Sequence, residues 1–132
     1  MVRAIMHGCN GHMGQVITGL IKADEGIELV AGIDKYTGIA NDYPVFESLE
    51  KCDVEADVII DFSNAAAADA LLTYCEEKKM PVVLCTTGLS EEQLAKIPEA
   101  AKKTAVLKSA NMSLGINLLM KLLKEATKVL AP

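Results

Sequence analysis

The stretch that decides the fold is Val2-Arg3-Ala4-Ile5-Met6-His7-Gly8-Cys9-Asn10-Gly11-His12-Met13-Gly14, running on into Gln15-Val16-Ile17. Val2 to His7 reads as a short buried strand. A glycine turn follows, and then Met13, Val16, Ile17, Leu20 and Ile21 recur at helical spacing. Glycines in such a turn let backbone approach a bound group closely. The helix that follows aims its first N–H groups and the positive end of its dipole at the same place. The turn is therefore a candidate phosphate cradle. Its spacing is G-x-x-G-x-x-G rather than the commoner G-x-G-x-x-G, so a strand-to-helix turn that binds nothing stays open as the plain alternative.

Working outward, apolar runs alternate with helical patterns to the end of the chain. Ile27 to Ile33 is a second strand, ending at Asp34, and the polar stretch from Lys35 to Pro44 reads as a loop. Ser48 to Cys52 suits a short helix. Val58 to Phe62 is a third strand, leading into an alanine-rich helix from Asn64 to about Lys79. Val82 to Cys85 makes a fourth strand. Ser90 with Gln93 is a capping-box signature, so a helix starts there, with Pro98 expected to interrupt or restart it. Ala105 to Leu107 is a fifth strand and Ser113 to Leu130 a strong final helix. Strands separated by helices predict a single α/β domain, a Rossmann-like doubly wound parallel sheet covered on both faces. Any ligand then belongs at the carboxyl ends of the strands.

Composition narrows the possibilities further. The chain has 132 residues, 51% hydrophobic, enough for one domain but short for a cofactor domain plus a full substrate domain. With 18 acidic residues against 13 basic ones and Arg3 the only arginine, it carries no footprint for nucleic acid. No apolar run reaches the ~18 residues of a membrane span, and the start lacks a signal peptide's layout. A soluble, cytoplasmic chain is expected. Cys9, Cys52, Cys75 and Cys85 are irregularly spaced and only His7 and His12 supply imidazoles, so buried reduced thiols and no metal site are expected.

Two further residue patterns bear on chemistry. Asp34 lies at the end of the second strand, about 20 residues beyond the glycine turn, where a carboxylate accepts hydrogen bonds from an adenosine ribose. A 2′-phosphate there meets repulsion of up to ~4 kcal/mol per unit charge at an effective dielectric of about 20. Lys35 and a protonated His12 would offset this, so NADH is expected to bind at least as tightly as NADPH. Tyr74 and Lys78 form a Y-x-x-x-K, the catalytic pair of short-chain dehydrogenases. It follows the third strand rather than a later one and sits beside Glu76, Glu77 and Lys79, so it reads as a solvated helix face.

Three more signatures recur with the glycine turn. They are Ile60-Asp61-Phe62-Ser63, Cys85-Thr86-Thr87-Gly88 and Ser109-Ala110-Asn111-Met112-Ser113-Leu114-Gly115-Ile116-Asn117. Their order and content resemble the amino-terminal domain of dihydrodipicolinate reductase, the 4-hydroxy-tetrahydrodipicolinate reductase of bacterial lysine and diaminopimelate synthesis. That family passes a hydride from NADH or NADPH to a cyclic unsaturated dicarboxylate. The resemblance implies that Gly8, Cys9, Asn10, Gly11, His12 and Met13 hold the pyrophosphate, with Asp34 and Lys35 at the adenosine ribose. It also places Phe62 at the cofactor, Cys85, Thr86 and Thr87 along the nicotinamide ribose and carboxamide, and Ser109, Ala110, Asn111 and Met112 on the other side of the nicotinamide. Cys85 stands where the family usually has glycine, and Met112 where an aromatic often follows Ala-Asn. Both Cys9 and Cys85 are expected to border the cofactor.

One absence counts as much as these matches. The resemblance implies a second domain carrying a His-His…Lys segment and a Lys-x-Asp-Ala-Pro-Ser-Gly-Thr run, and neither occurs here. Residues 1–132 therefore read as the dinucleotide-binding half alone, cut at the domain boundary near Ala131-Pro132. Such a half would bind cofactor without turning over substrate, as a monomer or weak dimer, the parent being a homotetramer through the other domain. A stand-alone NAD-binding regulatory or redox-sensing module is the competing reading. A third is the cofactor half of another hydride-transfer family, such as homoserine or aspartate-semialdehyde dehydrogenases, which the Ser109 to Asn117 run disfavours.

Overall fold

Alternation along the strands sorts the apolar residues into two layers, one on each face of a sheet. The computed structural model describes residues 1–130. Its elements are β1 (Val2–His7), α1 (His12–Ile21), β2 (Ile27–Ile33), β3 (Val45–Phe46), β4 (Val58–Asp61), α2 (Ala68–Lys78), β5 (Val82–Leu84), α3 (Glu91–Ala100), β6 (Val106–Lys108) and α4 (Leu114–Leu130). Short 3₁₀ turns occupy Leu49–Lys51 and Ala65–Ala67. All described strand pairs are parallel, in the order β3-β2-β1-β4-β5-β6. This is the Rossmann-like doubly wound sheet. The order reverses between β1 and β4, so the chain leaves a crevice at the carboxyl ends of those central strands.

Ile5, Ile59, Val82 and Leu84 turn to one face, where Leu71, Leu72 and Cys75 of α2 and Ala100 of α3 close the larger core. Met6 and Cys9 turn to the other and meet Tyr43, with Ile17 of α1 and Ile60 packed against them. Each fully buried aliphatic side chain here contributes about 1.5–3 kcal/mol. The pairing of β1 with β2 slips between Ala4 and Ile5, since Leu29 opposes Ala4 and Ala31 opposes Ile5. Val30 is the extra residue, a bulge that lets Leu29 and Ala31 serve opposite layers.

Helix ends follow side-chain chemistry. Ser90 and Gln93 form the expected capping box, the Gln93 amide donating to Ser90 Oγ and the Ser90 amide to Gln93 Oε1. Asn64 Oδ1 accepts from the Ala66 amide and so opens the turn that leads into α2. Lys79, with φ +52°, closes that helix in the left-handed region.

The structure adds one strand and corrects three expectations. Val45–Phe46 is a strand, pairing with Gly32 and Ile33 of β2 at the edge of the sheet. Two residues are too few for a periodic signal. Pro98 neither interrupts nor restarts α3, which runs through it. The ring costs the bond to the Leu94 carbonyl, but the helix ends at Ala100, and that residue and Ile97 are held by the core. Tyr74 is half-buried against the larger core rather than on a solvated face. Finally, the sheet is not covered on both faces throughout. All of α4 is exposed, and Leu107 of β6 is 57% exposed. No helix among the described residues is long and apolar enough to cross a membrane. Ala131 and Pro132, where the crossing to a second domain is expected, lie outside the described residues.

Candidate functional site

The glycine turn is built so that side chains cannot enter it. Gly8 has φ +82°, and a Cβ there would lie 2.7 Å from the Phe62 carbonyl oxygen. At Gly14, inside the first turn of α1, a Cβ would lie 2.1 Å from the Gly8 oxygen and 2.7 Å from that of Cys9. The turn closes with the Gly11 amide donating to the Gly8 carbonyl at 3.2 Å, and α1 starts directly afterwards with no acidic residue in its first turn. The opening amides of a helix have no carbonyl one turn back, so they face the crevice unspent. An anionic diphosphate fits this cradle, and Gly8 and Gly14 keep it open.

Asp34 is tied to the same turn. Its Oδ2 accepts from the Asn10 amide and its Oδ1 from the Tyr36 amide, each at 3.0 Å. The Asn10 side chain donates to the Tyr36 carbonyl and accepts from Asn41 Nδ2, so the loop after β2 is stitched to the turn after β1. Gln15 of α1 completes the lock by donating to the Asn10 carbonyl. The carboxylate is thus pre-aimed, with lone pairs left over for a diol.

A cleft of about 700 Å³ opens at these strand ends. Of the candidate residues it gathers Gly8, Gly11, Asp34, Lys35 and Phe62. Ser48, Asn64, Ala66 and Ala70 also line it, and Glu47, Glu50 and Glu77 add three carboxylates. The small alanines leave room for a flat ring. Tyr74 also lines the cleft, but burial pushes its phenol up, opposite to what a catalytic tyrosine needs.

Other candidates sit elsewhere. His12 and Met13 are exposed at the mouth of the turn, and Asn10 is buried behind it. The Cys9 side chain does not border the cleft. It is buried against Met6 and Tyr43, close over Gly32, and desolvation pushes its thiol up to about 11. Only the backbone of Cys9 faces the turn's work, because alternation beyond Met6 sends its side chain inward. Cys85 and Thr86 are buried just beyond β5, Thr87 is exposed there, and burial raises the Cys85 thiol. Ser109 is half-buried beyond β6, while Ala110, Asn111 and Met112 are exposed. These two segments lie at the same end of the sheet as the cleft but outside its walls.

The sequence reading left one cluster without a role. His7 ends β1, Asp61 ends β4 directly beside it in register, and Ser63 and Thr86 follow the ends of β4 and β5. Asp61 is 0% exposed, and its Oδ1 lies 2.8 Å from His7 Nδ1 and 2.6 Å from Ser63 Oγ. Desolvation pushes this carboxyl up, but His7, Ser63 and Thr86 together outweigh it and leave it lowered, hence ionised at neutral pH. The signal was present in the sequence: a histidine and an aspartate each end an apolar strand at the same level.

The family description "Dihydrodipicolinate reductase, N-terminus" matches residues 2–112. The chain is 49% identical over 130 residues to a 4-hydroxy-tetrahydrodipicolinate reductase of Clostridium tetani, covering 98% of this chain and 51% of that protein. It is 51% identical over the same length to the enzyme of that name from Caldanaerobacter subterraneus, again 98% and 51%. Among solved structures, a dipicolinate-bound dihydrodipicolinate reductase from Paenisporosarcina sp. TG-14 superposes with a TM-score of 0.86 at 26% identity, over 98% of this chain and 54% of that one. A myo-inositol 2-dehydrogenase from Lactobacillus plantarum, at 13% identity and a TM-score of 0.72, shares the fold. The chain spans about half the length of the curated relatives it matches.

Proposed function

The chain belongs to the family of dihydrodipicolinate reductase amino-terminal domains, and from that premise we propose that it is the nicotinamide-dinucleotide-binding half of an NAD(P)-dependent reductase. The parent enzyme delivers hydride to 4-hydroxy-tetrahydrodipicolinate, giving tetrahydrodipicolinate in cytoplasmic lysine and diaminopimelate synthesis. The observation that carries this reading is that the glycine turn and the pre-aimed Asp34 open on one cleft. When bound, the dinucleotide supplies the hydride; everything else asked of this chain is binding and orientation.

Gly8 to Met13 hold the pyrophosphate through backbone N–H groups and the dipole of α1. Asp34 accepts from the adenosine ribose, with Lys35 beside it and Ala66 and Ala70 lining the same cleft. Phe62 closes the floor. Cys85, Thr86 and Thr87 beyond β5, with Ser109 to Met112 beyond β6, serve the nicotinamide end, where hydroxyls and amides fix which face of the ring is presented. Cys9 contributes backbone only.

Asp34, Glu47, Glu50 and Glu77 line this cleft together with Lys35, and Lys51 pairs with Glu47. A 2′-phosphate therefore enters a predominantly acidic wall, so NADH binds at least as tightly as NADPH. Holding and protonating a dicarboxylate substrate falls to the other half of the parent enzyme, which is also where its subunits assemble into a tetramer. Calorimetry on this chain with each dinucleotide tests the reading: NADH binds, and NADPH binds no better. Failure of both to bind would overturn it. A turnover assay on the chain alone shows no reduction of substrate, and near-normal turnover would refute the division of labour.

A further inference from the structure

Beside the cleft lies a second groove of about 730 Å³, lined by Arg3, Cys52 and Met80 toward the amino ends of the strands. Four residues line both spaces: Leu49 and Glu50 of the 3₁₀ turn, and Tyr74 and Glu77 of α2. They form the sill between the two. With the diphosphate at Gly8 and Gly11 and the ribose at Asp34, the part of the cleft left for the base runs along Ser48, Ala67 and Ala70 to that sill. The base therefore ends against side chains, and their chemistry decides which base fits.

Tyr74 and Glu77 stand three residues apart on α2, so they share one face of the helix. The Tyr74 ring packs on the larger core, which fixes the side chain, and burial keeps its phenol protonated. Tyr43 spends its hydroxyl on Thr18 at 2.8 Å, whereas no hydrogen bond among the described residues engages that of Tyr74. Nor is that hydroxyl one of the sealed polar atoms, so a ligand reaches it. Glu76 pairs with Lys103, but Glu77 joins no ion pair among the described residues. Lys78, the other member of the Y-x-x-x-K, lines the second groove and not the cleft. The geometry points to Tyr74 and Glu77 as the residues that select adenine at the far end of the cofactor. The phenol donates to a ring nitrogen, and the carboxylate accepts from the exocyclic amino group beside it. Adenine presents this pair on either edge, an amino donor next to N1 or N7, both acceptors. A 6-oxo purine puts an acceptor where the amino group was, and on its N1 edge both contacts are reversed. A site built to hydrogen-bond one group rejects the analogue that leaves it unpaired.

This selection rests on the dinucleotide reading but fails separately from it. Calorimetry compares NADH with reduced nicotinamide hypoxanthine dinucleotide, which carries oxygen in place of the amino group. The parent chain binds NADH about tenfold more tightly, the loss expected when a well-formed contact becomes a mismatched one. Tyr74→Phe keeps the ring in the core, and Glu77→Gln alters an exposed side chain, so neither disturbs the fold. Each weakens NADH and narrows the ratio to about threefold or less. In Glu77→Gln the new amide also donates to the 6-oxo group, so affinity for the hypoxanthine form rises. A packing role alone would weaken both dinucleotides equally and leave the ratio where it was. Equal affinity of the parent for the two, or an unchanged ratio in both variants, overturns this selection alone. Binding of neither dinucleotide overturns both readings.

Discussion

Gly14 shows how much a single missing methyl carries. Its hydrogen occupies the gap between the start of α1 and the carbonyls of Gly8 and Cys9, and both obstacles are backbone. No side chain can rotate away to make room, so Gly14→Ala must push α1 off the turn. Overpacking of this kind costs about 1–3 kcal/mol, and the displaced amides no longer converge on a phosphate. The variant should melt well below the parent and show no measurable NADH binding by calorimetry; parental affinity would contradict the cradle. Gly19, where an added Cβ meets nothing, is the matched control, and Gly19→Ala should raise helix stability by about 0.5–1 kcal/mol. The three glycines of the turn were legible in the sequence because their spacing bridges a strand and a helix. That the Cys9 thiol turns away from the cleft was not, because it depends on the β2–β3 loop carrying Tyr43 over the turn's far side.

β1 and β2 were readable in order and nearly to the residue, α2 at its end, and α3 at its start behind the Ser90–Gln93 box. Those that escaped depend on neighbours. β3 exists because β2 offers an open edge, and α3 survives Pro98 because Ile97 and Ala100 are anchored beneath α2. For α4 the opposite holds: periodicity reports the helix, and nothing in it reports whether the apolar face is used. Ile116, Leu119, Met120, Leu122 and Leu123 are all exposed, and none of the helix's residues is buried. Burial is what makes a leucine costly to replace. Leu119→Lys and Leu122→Glu should therefore each change the stability of this chain by no more than about 0.5 kcal/mol, as surface substitutions do. Leu71→Ala in α2 should cost about 2–5 kcal/mol. Urea melts of the three variants check this, and a large loss from Leu119→Lys would mean that α4 packs on the sheet in solution.

Across the whole molecule, titratable groups with opposite displacements bound the pH range in which the fold holds. On the acid side Asp61, Asp69, Asp57 and Glu47 are all lowered, Asp57 to about 2 by its hydrogen bonds with Arg3. A lowered carboxyl stabilises the fold above its unfolded value near 4 and loses that contribution as pH falls toward its folded value. Asp61 dominates this edge because the other three are solvated and screened. On the alkaline side burial raises Cys9 to about 11 and Cys75 to about 12. An unfolded thiol ionises near pH 8.5 while these stay protonated, so above that value the unfolded state gains and the native state does not. Each buried thiol then costs roughly 1.4 kcal/mol per pH unit until its folded value is reached. Melting temperature should accordingly be level from about pH 5 to 8, fall below about pH 4, and fall again above about pH 9, more steeply with each added thiol. Replacing Cys75 with alanine lowers the plateau, through a cavity beneath α2, yet flattens the alkaline slope. A slope between pH 9 and 10.5 as steep in Cys75→Ala as in the parent would show that the thiol is not held neutral by the core.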